Sequence, residues 1–326
     1  MSQGGGIDPG CVRLRLGCAD GRVCEVAVAS ERPALAQALR GRPADAAVRL
    51  VPLLFALCGK AQGRAAALAL AAARGDECPA HIDAAIEQEV MREHLWRWLL
   101  DLPPALGETA MRDEFVAAIG ALGGGRRDEL AALLAGARIE SLCRRLAGME
   151  DAGDPRPRFL PCLDARASLA WWPQLDADFC RRPTWQGAAA ETGALARRQG
   201  GEEIGGAAFA ARWLARLAEL RDWAADDARV GDGGTASAVQ VAAGRGRALV
   251  DTARGLLMHE IVLDGEHEER IADYFIVAPT EWNFHPQGPL AGWLLGRDAA
   301  DREALAAFAA RAVAALDPCV RWELEM

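Results

Sequence analysis

Nine cysteines, at positions 11, 18, 24, 58, 78, 143, 162, 180 and 319, hold most of the potential chemistry of this 326-residue chain. Thiolates are soft donors, but zinc fingers, ribbons and thioredoxin-like sites need two of them three positions apart. No CxxC pair occurs, so those readings fail. In a reducing cytoplasm, scattered thiols are expected to be small buried hydrophobes. The five histidines, 81, 94, 259, 267 and 285, form no HxxxH or HExxH pattern, and GxGxxG, P-loop and GxSxG sequences are absent. His259 lies in an apolar stretch and reads as a satisfied core histidine, whereas His267 among Glu266, Glu268 and Glu269 reads as a solvated strand end.

Two segments resist so plain a reading. Ala278-Pro279-Thr280-Glu281-Trp282-Asn283 is a Pro-Thr turn directly after a very apolar strand, and Asp317-Pro318-Cys319 follows a helix close to the C-terminus. Loops at element ends are where function concentrates.

The elements that position these segments follow from periodicity. Residues 12–29 alternate apolar and polar around Ala19-Asp20-Gly21, which predicts a β-hairpin. Helix is expected from Pro33 to Ala73, interrupted at Pro52, and again over 81–100, 108–122 and 127–148. The 151–186 stretch carries five prolines and Trp171, Trp172 and Trp185, the signature of an ordered irregular segment, either core or docking surface. Helix resumes over 203–225, glycines 231, 233 and 234 mark a boundary, and strands follow, including a pair across Asp264-Gly265. A last helix covers 301–316. The expected organisation is one α+β domain over 1–326: hairpin 11–30, mainly helix 31–150, irregular 151–200, helix 201–230, antiparallel strands 236–285, then helix and tail 300–326, with the two ends meeting.

Composition narrows the function classes. The chain is 51% hydrophobic and 25% charged, which excludes a disordered or fibrous protein. Forty-six acids against 37 bases give a net charge of −9, which argues against nucleic acid or an anionic membrane as partner. No stretch free of charged residues reaches the ~18 residues of a spanning helix. The N-terminus shows no signal-peptide pattern, so a cytoplasmic protein is expected.

The two segments also carry a resemblance. Asp251-Thr252-Ala253-Arg254-Gly255-Leu256-Leu257-Met258-His259, the Asp264-Gly265 turn, and Ile271 through Asn283 together resemble the EAPRGxLxH…NYxxVxPTTWN pattern of nickel–iron hydrogenase large subunits. Three further segments lie in the same order: Leu57-Cys58-Gly59 where that family has its first CGxC, Glu191 to Arg197 where it has EVGPLAR, and Asp317-Pro318-Cys319 where it has DPCxxC. The resemblance spans almost the whole chain and implies a reduced large-subunit-like fold. The departures fall on the ligands. The second cysteine of each pair is replaced, by Ala61 and Trp322, the family histidines by Ala65 and Glu325, and the relay carboxylate of EGH by Pro9 in Pro9-Gly10-Cys11. Ala253 replaces the proline beside Arg254, about half the usual length is missing, and with the sequence ending at Met326 no extension for a maturation protease to remove is expected.

Two of four nickel thiolates are thus absent, and neither nickel nor hydrogen-activating catalysis is expected. The combination resembles HupK/HoxV-type hydrogenase accessory proteins. That resemblance implies a non-enzymatic scaffold for an Fe(CN)2CO unit, received from a HypC–HypD-type complex and passed to an apo large subunit. It further implies Cys58 and Cys319 as iron ligands, Arg254 as hydrogen-bond donor to one cyanide, and Pro279 and Thr280 as the loop cupping the other. The alternative is a metal-free adaptor that uses large-subunit-like shape to dock a chaperone or small subunit.

Overall fold

In the computed structural model, residues 10–31, 35–55, 58–149, 158–198, 208–227, 233–265 and 269–326 are described. Pro9, Pro33, Leu57, Pro155, Pro157, Gly231, Glu266, His267 and Glu268 of the sequence reading lie outside them. Strands β1 (Cys11–Ala19) and β2 (Arg22–Glu31) form the hairpin, joined at Asp20 and Gly21, whose φ angles of 51° and 71° suit a tight turn between twisted strands. The five-stranded sheet has the order β3 (Cys78–Ile82), β4 (Thr235–Ala242), β5 (Arg245–Thr252), β6 (Gly255–Asp264) and β7 (Arg270–Val277), each pair antiparallel. Residues read as a C-terminal tail instead form β8 (Arg321–Glu325), which pairs in parallel with β1, Cys11 opposite Arg321. The two ends of the described chain therefore meet in one sheet.

Helices α1 (Ala44–Leu54), α2 (Gly59–Ala73) and α3 (Ala84–Trp96) follow the hairpin. Pro52 sits inside the last turn of α1 without breaking it; the interruption falls after Leu54. The alanine run of α2 has a packing reason. A Cβ on Gly246 of β5 would lie 2.1 Å from the Ala73 nitrogen and 2.3 Å from the Ala69 carbonyl oxygen. Helix and strand approach backbone to backbone, which only small residues permit.

The five-stranded sheet is covered on both faces, so β5 and β6 are almost continuously buried where a half-solvated sheet would alternate. Ala248, Val250, Leu257 and Ile261 face α2 and the helical core, while Val239, Leu249 and Met258 face Trp172, Trp185 and Trp282. The Trp-rich segment is thus mostly core. Trp172 and Trp185 are buried, and Trp171, 47% exposed, packs against Trp185 with ring centroids 4.3 Å apart and planes tilted by 52°. A third cluster joins the hairpin to the helix Arg302–Leu316 through Leu14, Val28, Phe308 and Val313. No helix among the described residues is long and apolar enough to cross a membrane.

Candidate metal centre: two cysteines around a buried arginine

Cys58 and Cys319 lie 261 positions apart in sequence, and each sits at the end of a helix. Cys58 occupies the position just before α2. The first N–H groups of that helix are satisfied from α3: the Glu89 carboxylate accepts from Lys60 and Ala61 at 3.0 Å each. A Cβ on Gly59 would stand 3.0 Å from the Pro52 carbonyl oxygen, so the small residue lets α2 start close against α1. Cys319 follows the Arg302–Leu316 helix, whose C-cap Asp317 adopts a left-handed φ of 57°. That turn, and the Pro318 after it, end the helix and direct the chain toward β8.

Arg254 occupies the tight turn between β5 and β6. Thr252 Oγ1 accepts from the Arg254 backbone N–H at 3.3 Å and donates to the Gly255 carbonyl at 2.9 Å. Gly255 has a φ of 122° and lies so close to Thr192 that a Cβ would overlap it. Asn283 locks the turn to its surroundings: its Nδ2 donates to the Arg254 carbonyl at 3.1 Å, and its Oδ1 accepts from the Thr192 N–H at 2.9 Å. The resemblance motifs around Glu191, Arg254 and Pro279–Asn283 therefore converge in space.

The Arg254 side chain is buried between two carboxylates. Nε donates to Asp317 and Nη2 to Glu93, each at 3.2 Å. Asp251, three positions before it in sequence, lies 3.9 Å from Arg197. Asp317 also pairs with Arg97. Burial pushes its carboxyl upward, but Arg254, Arg97 and Arg216 overcome that and hold it down at about 2.

The two cysteines and the arginine feel one another's charge. Burial pushes the Cys58 thiol up to about 12, and a charge on Cys319 pushes in the same direction; Arg254 and a hydrogen bond from Gln62 act the opposite way. Burial opposes the Arg254 charge, yet Asp317, Cys319, Glu93 and Cys58 together raise its pKa above the ordinary arginine value. Arg254 Nη1 makes no hydrogen bond among the described residues, so this buried cation keeps a donor in reserve.

Pro279 and Thr280 open a five-residue helix after β7, with proline at its first position. Thr280 is buried, and its Oγ1 stands 3.1 Å from Cys319 Sγ and 3.5 Å from the Cys319 nitrogen. In this structure the hydroxyl therefore contacts the cysteine sulfur. Positions 61 and 65 carry fully buried alanines, and Trp322 packs at the margin of the hairpin cluster, so apolar packing takes up the positions of the missing ligands. Among the described residues, no group of three or more His, Cys, Asp and Glu side chains is placed to hold a metal ion. Two thiols with a buried cation remain, a set suited to a metal fragment that brings most of its own ligands.

Residues that motif reading did not single out complete the surroundings. Gln62, one helical turn after Cys58, places Nε2 3.7 Å from its sulfur and Oε1 2.9 Å from His259 Nε2. His259 is fully buried and also bonded to the Tyr274 hydroxyl at 2.8 Å, the satisfied core histidine read from the sequence. The i+4 spacing of Gln62 from Cys58 was a usable signal. For Arg97, Glu93 and Arg216 there was none.

No protein-family model matches the chain. It is 33% identical to the hydrogenase expression/formation protein HoxV of Cupriavidus necator, with 91% of this chain and 92% of the relative covered. It is 32% identical to the expression/formation protein HupK of Bradyrhizobium diazoefficiens, with 90% of each covered. Among solved structures, it superposes on the reduced Ni-Fe-Se hydrogenase of D. vulgaris Hildenborough with a TM-score of 0.56 at 15% identity, covering 93% of this chain and 95% of that one. The alignment runs nearly end to end, so any shortening is not the loss of a continuous half. The fold is that of a nickel–iron hydrogenase large subunit, and the chain belongs to the HoxV/HupK family of hydrogenase expression/formation proteins.

Proposed function

We propose that this protein is a non-catalytic scaffold of hydrogenase maturation that carries an Fe(CN)2CO unit as cargo on Cys58 and Cys319, in the cytoplasm. The observation that supports the reading is that Cys58 and Cys319 lie near enough to each other and to Arg254 for their charges to interact, each the retained half of a pair whose other half is Ala61 or Trp322. Two thiolates suffice for a low-spin iron that already holds three diatomic ligands. Iron-bound cyanide is an anionic acceptor, and the reserve N–H of Arg254 supplies a charge-assisted donor for it. Thr280, which follows Pro279 at the start of its short helix, stands beside Cys319. Holding with two sulfurs where the finished centre has four favours release, as a hand-off from a HypC–HypD-type complex to an apo large subunit requires.

Nickel and hydrogen activation are not part of this reading, because positions 61 and 322 supply no thiolate. The test is infrared spectroscopy of protein purified anaerobically after co-production with the maturation machinery. CO and CN stretches are expected from the wild type and should vanish in Cys58→Ala and in Cys319→Ala; retention in both variants rejects the site. Metal-free protein that binds a maturation partner tightly, unaffected by either substitution, would favour the adaptor alternative. Stoichiometric nickel with hydrogenase activity would overturn both.

A further inference from the structure

A chain of buried polar side chains leads to the sulfur of Cys58 along the face of the sheet that packs on α2, starting from β7. Tyr274 on β7 reaches His259 on β6, His259 reaches Gln62 on α2, and Gln62 reaches Cys58. Gln62 is 1% exposed, His259 0% and Tyr274 2%, so each polar group must find its partner within the protein. The chemistry of the four groups allows two directions. In one, the Gln62 amide N–H points at sulfur and its oxygen accepts from His259 Nε2–H, which leaves Nδ1 to accept from the Tyr274 hydroxyl. In the other, the carboxamide is turned over, its oxygen faces sulfur, and His259 carries its proton on Nδ1. Only the first presents a donor to a thiolate.

We propose that Gln62 is the positioning residue of Cys58, its amide N–H fixed onto the sulfur by an Nε2-protonated His259 that is itself fixed by Tyr274. The proposal rests on the reading of Cys58 as a ligand of the iron unit, but the orientation it asserts exists without iron. A carboxamide held from behind by a buried ring cannot rotate away when the sulfur changes partner. The donor thus stays in place through loading and release. A thiolate that accepts this N–H donates less electron density to a bound metal, so Gln62 also weakens the Cys58–iron bond in the direction a hand-off needs.

Two measurements test this separately from the iron reading. The first is nitrogen-15 NMR of His259 in iron-free wild-type protein. The Nε2-protonated tautomer is expected, and the Nδ1-protonated tautomer would overturn the proposal. In Tyr274→Phe an Nδ1–H would face an apolar ring without a partner, so the Nε2-protonated form should persist there as well, and a switch to the Nδ1 form would count against the proposal. The second is the CO stretch of loaded protein. Gln62→Leu removes the N–H and should move the band to lower wavenumber, as a stronger sulfur donor increases back-donation to CO. An unmoved band would show that Gln62 merely packs. Tyr274→Phe keeps the packing and should move the band in the same direction by less. If the wild type shows no CO or CN bands, the iron reading fails, and the tautomer of His259 alone decides the orientation of Gln62.

Discussion

Arg254 Nε and Asp317 Oδ1 meet 3.2 Å apart in the protein interior, joining the turn between β5 and β6 to the C-cap two residues before Cys319. Arg97 and Arg216 face the same carboxylate. Asp317→Asn would leave the buried guanidinium groups of Arg254 and Arg216, and the partly exposed one of Arg97, with one fewer counter-charge, and breaking such a buried pair from one side costs ~3–5 kcal/mol. A loss of that size is expected in chemical denaturation at neutral pH. The wild-type pair should also be acid-sensitive. The Asp317 pKa is depressed in the folded state, so its stabilisation is present above the ordinary carboxylate value and fades as pH falls toward about 2. The amount lost over that interval is ~2 kcal/mol, and Asp317→Asn should lack it.

The close seat of α2 on β5 gives a second expectation. At Gly246 the nearest atoms to an added methyl are backbone atoms of α2, which no rotamer change can move. Gly246→Ala should therefore destabilise at or beyond the upper end of the ~1–3 kcal/mol usual for overpacking, read as a lower thermal midpoint. An alanine tolerated there without loss would contradict this packing.

Local pattern made the hairpin, the alanine-rich helix and the late strand run legible, because alternation, an Asp-Gly turn and apolar spacing are short-range signals. It did not reveal β3 or β8, five-residue strands held in place by β4 and β1, respectively. Cys58, Cys319, Arg254, Pro279 and Thr280 could be named from collinear motifs, but their partners could not. Arg254 bonds across 161 positions to Glu93 and 63 to Asp317, whereas the nearby carboxylate of Asp251 is turned to Arg197. Thr280 was expected to face a cyanide, and its hydroxyl lies on a sulfur. Such pairings are set by how helices dock on the sheet, which spacing along one segment does not encode.

His259 should make the protein acid-labile before its carboxylates do. Burial alone pushes its imidazole down to about 3, and its ring nitrogens face only the neutral Gln62 and Tyr274. A histidine whose folded pKa lies below its unfolded one contributes stability that is full above the unfolded value near 6.5. That contribution is lost as pH falls toward 3, at up to ~1.4 kcal/mol per pH unit. Between pH 6.5 and 5 the wild type should lose ~2 kcal/mol from this residue. His94, lowered by burial against the opposing effect of Glu219, adds in the same direction. His259→Asn should flatten the slope of stability against pH by about one proton; an unchanged slope would reject the assignment.

Thr280→Val distinguishes the two partners open to the threonine hydroxyl. Its oxygen accepts from the Cys319 backbone N–H and stands 3.1 Å from Cys319 Sγ, where either group can donate while Cys319 is a thiol but only the hydroxyl can donate to a metal-bound thiolate. Valine preserves the shape, so the stability loss should be near the ~1 kcal/mol of one hydrogen bond. The infrared pattern of loaded protein carries the sharper outcome. With the hydroxyl on sulfur, its removal strengthens sulfur donation to iron, and the CO band and both CN bands should move together to lower wavenumber. A shift confined to a single CN band would instead mean that the hydroxyl leaves Cys319 for a cyanide when the iron unit arrives.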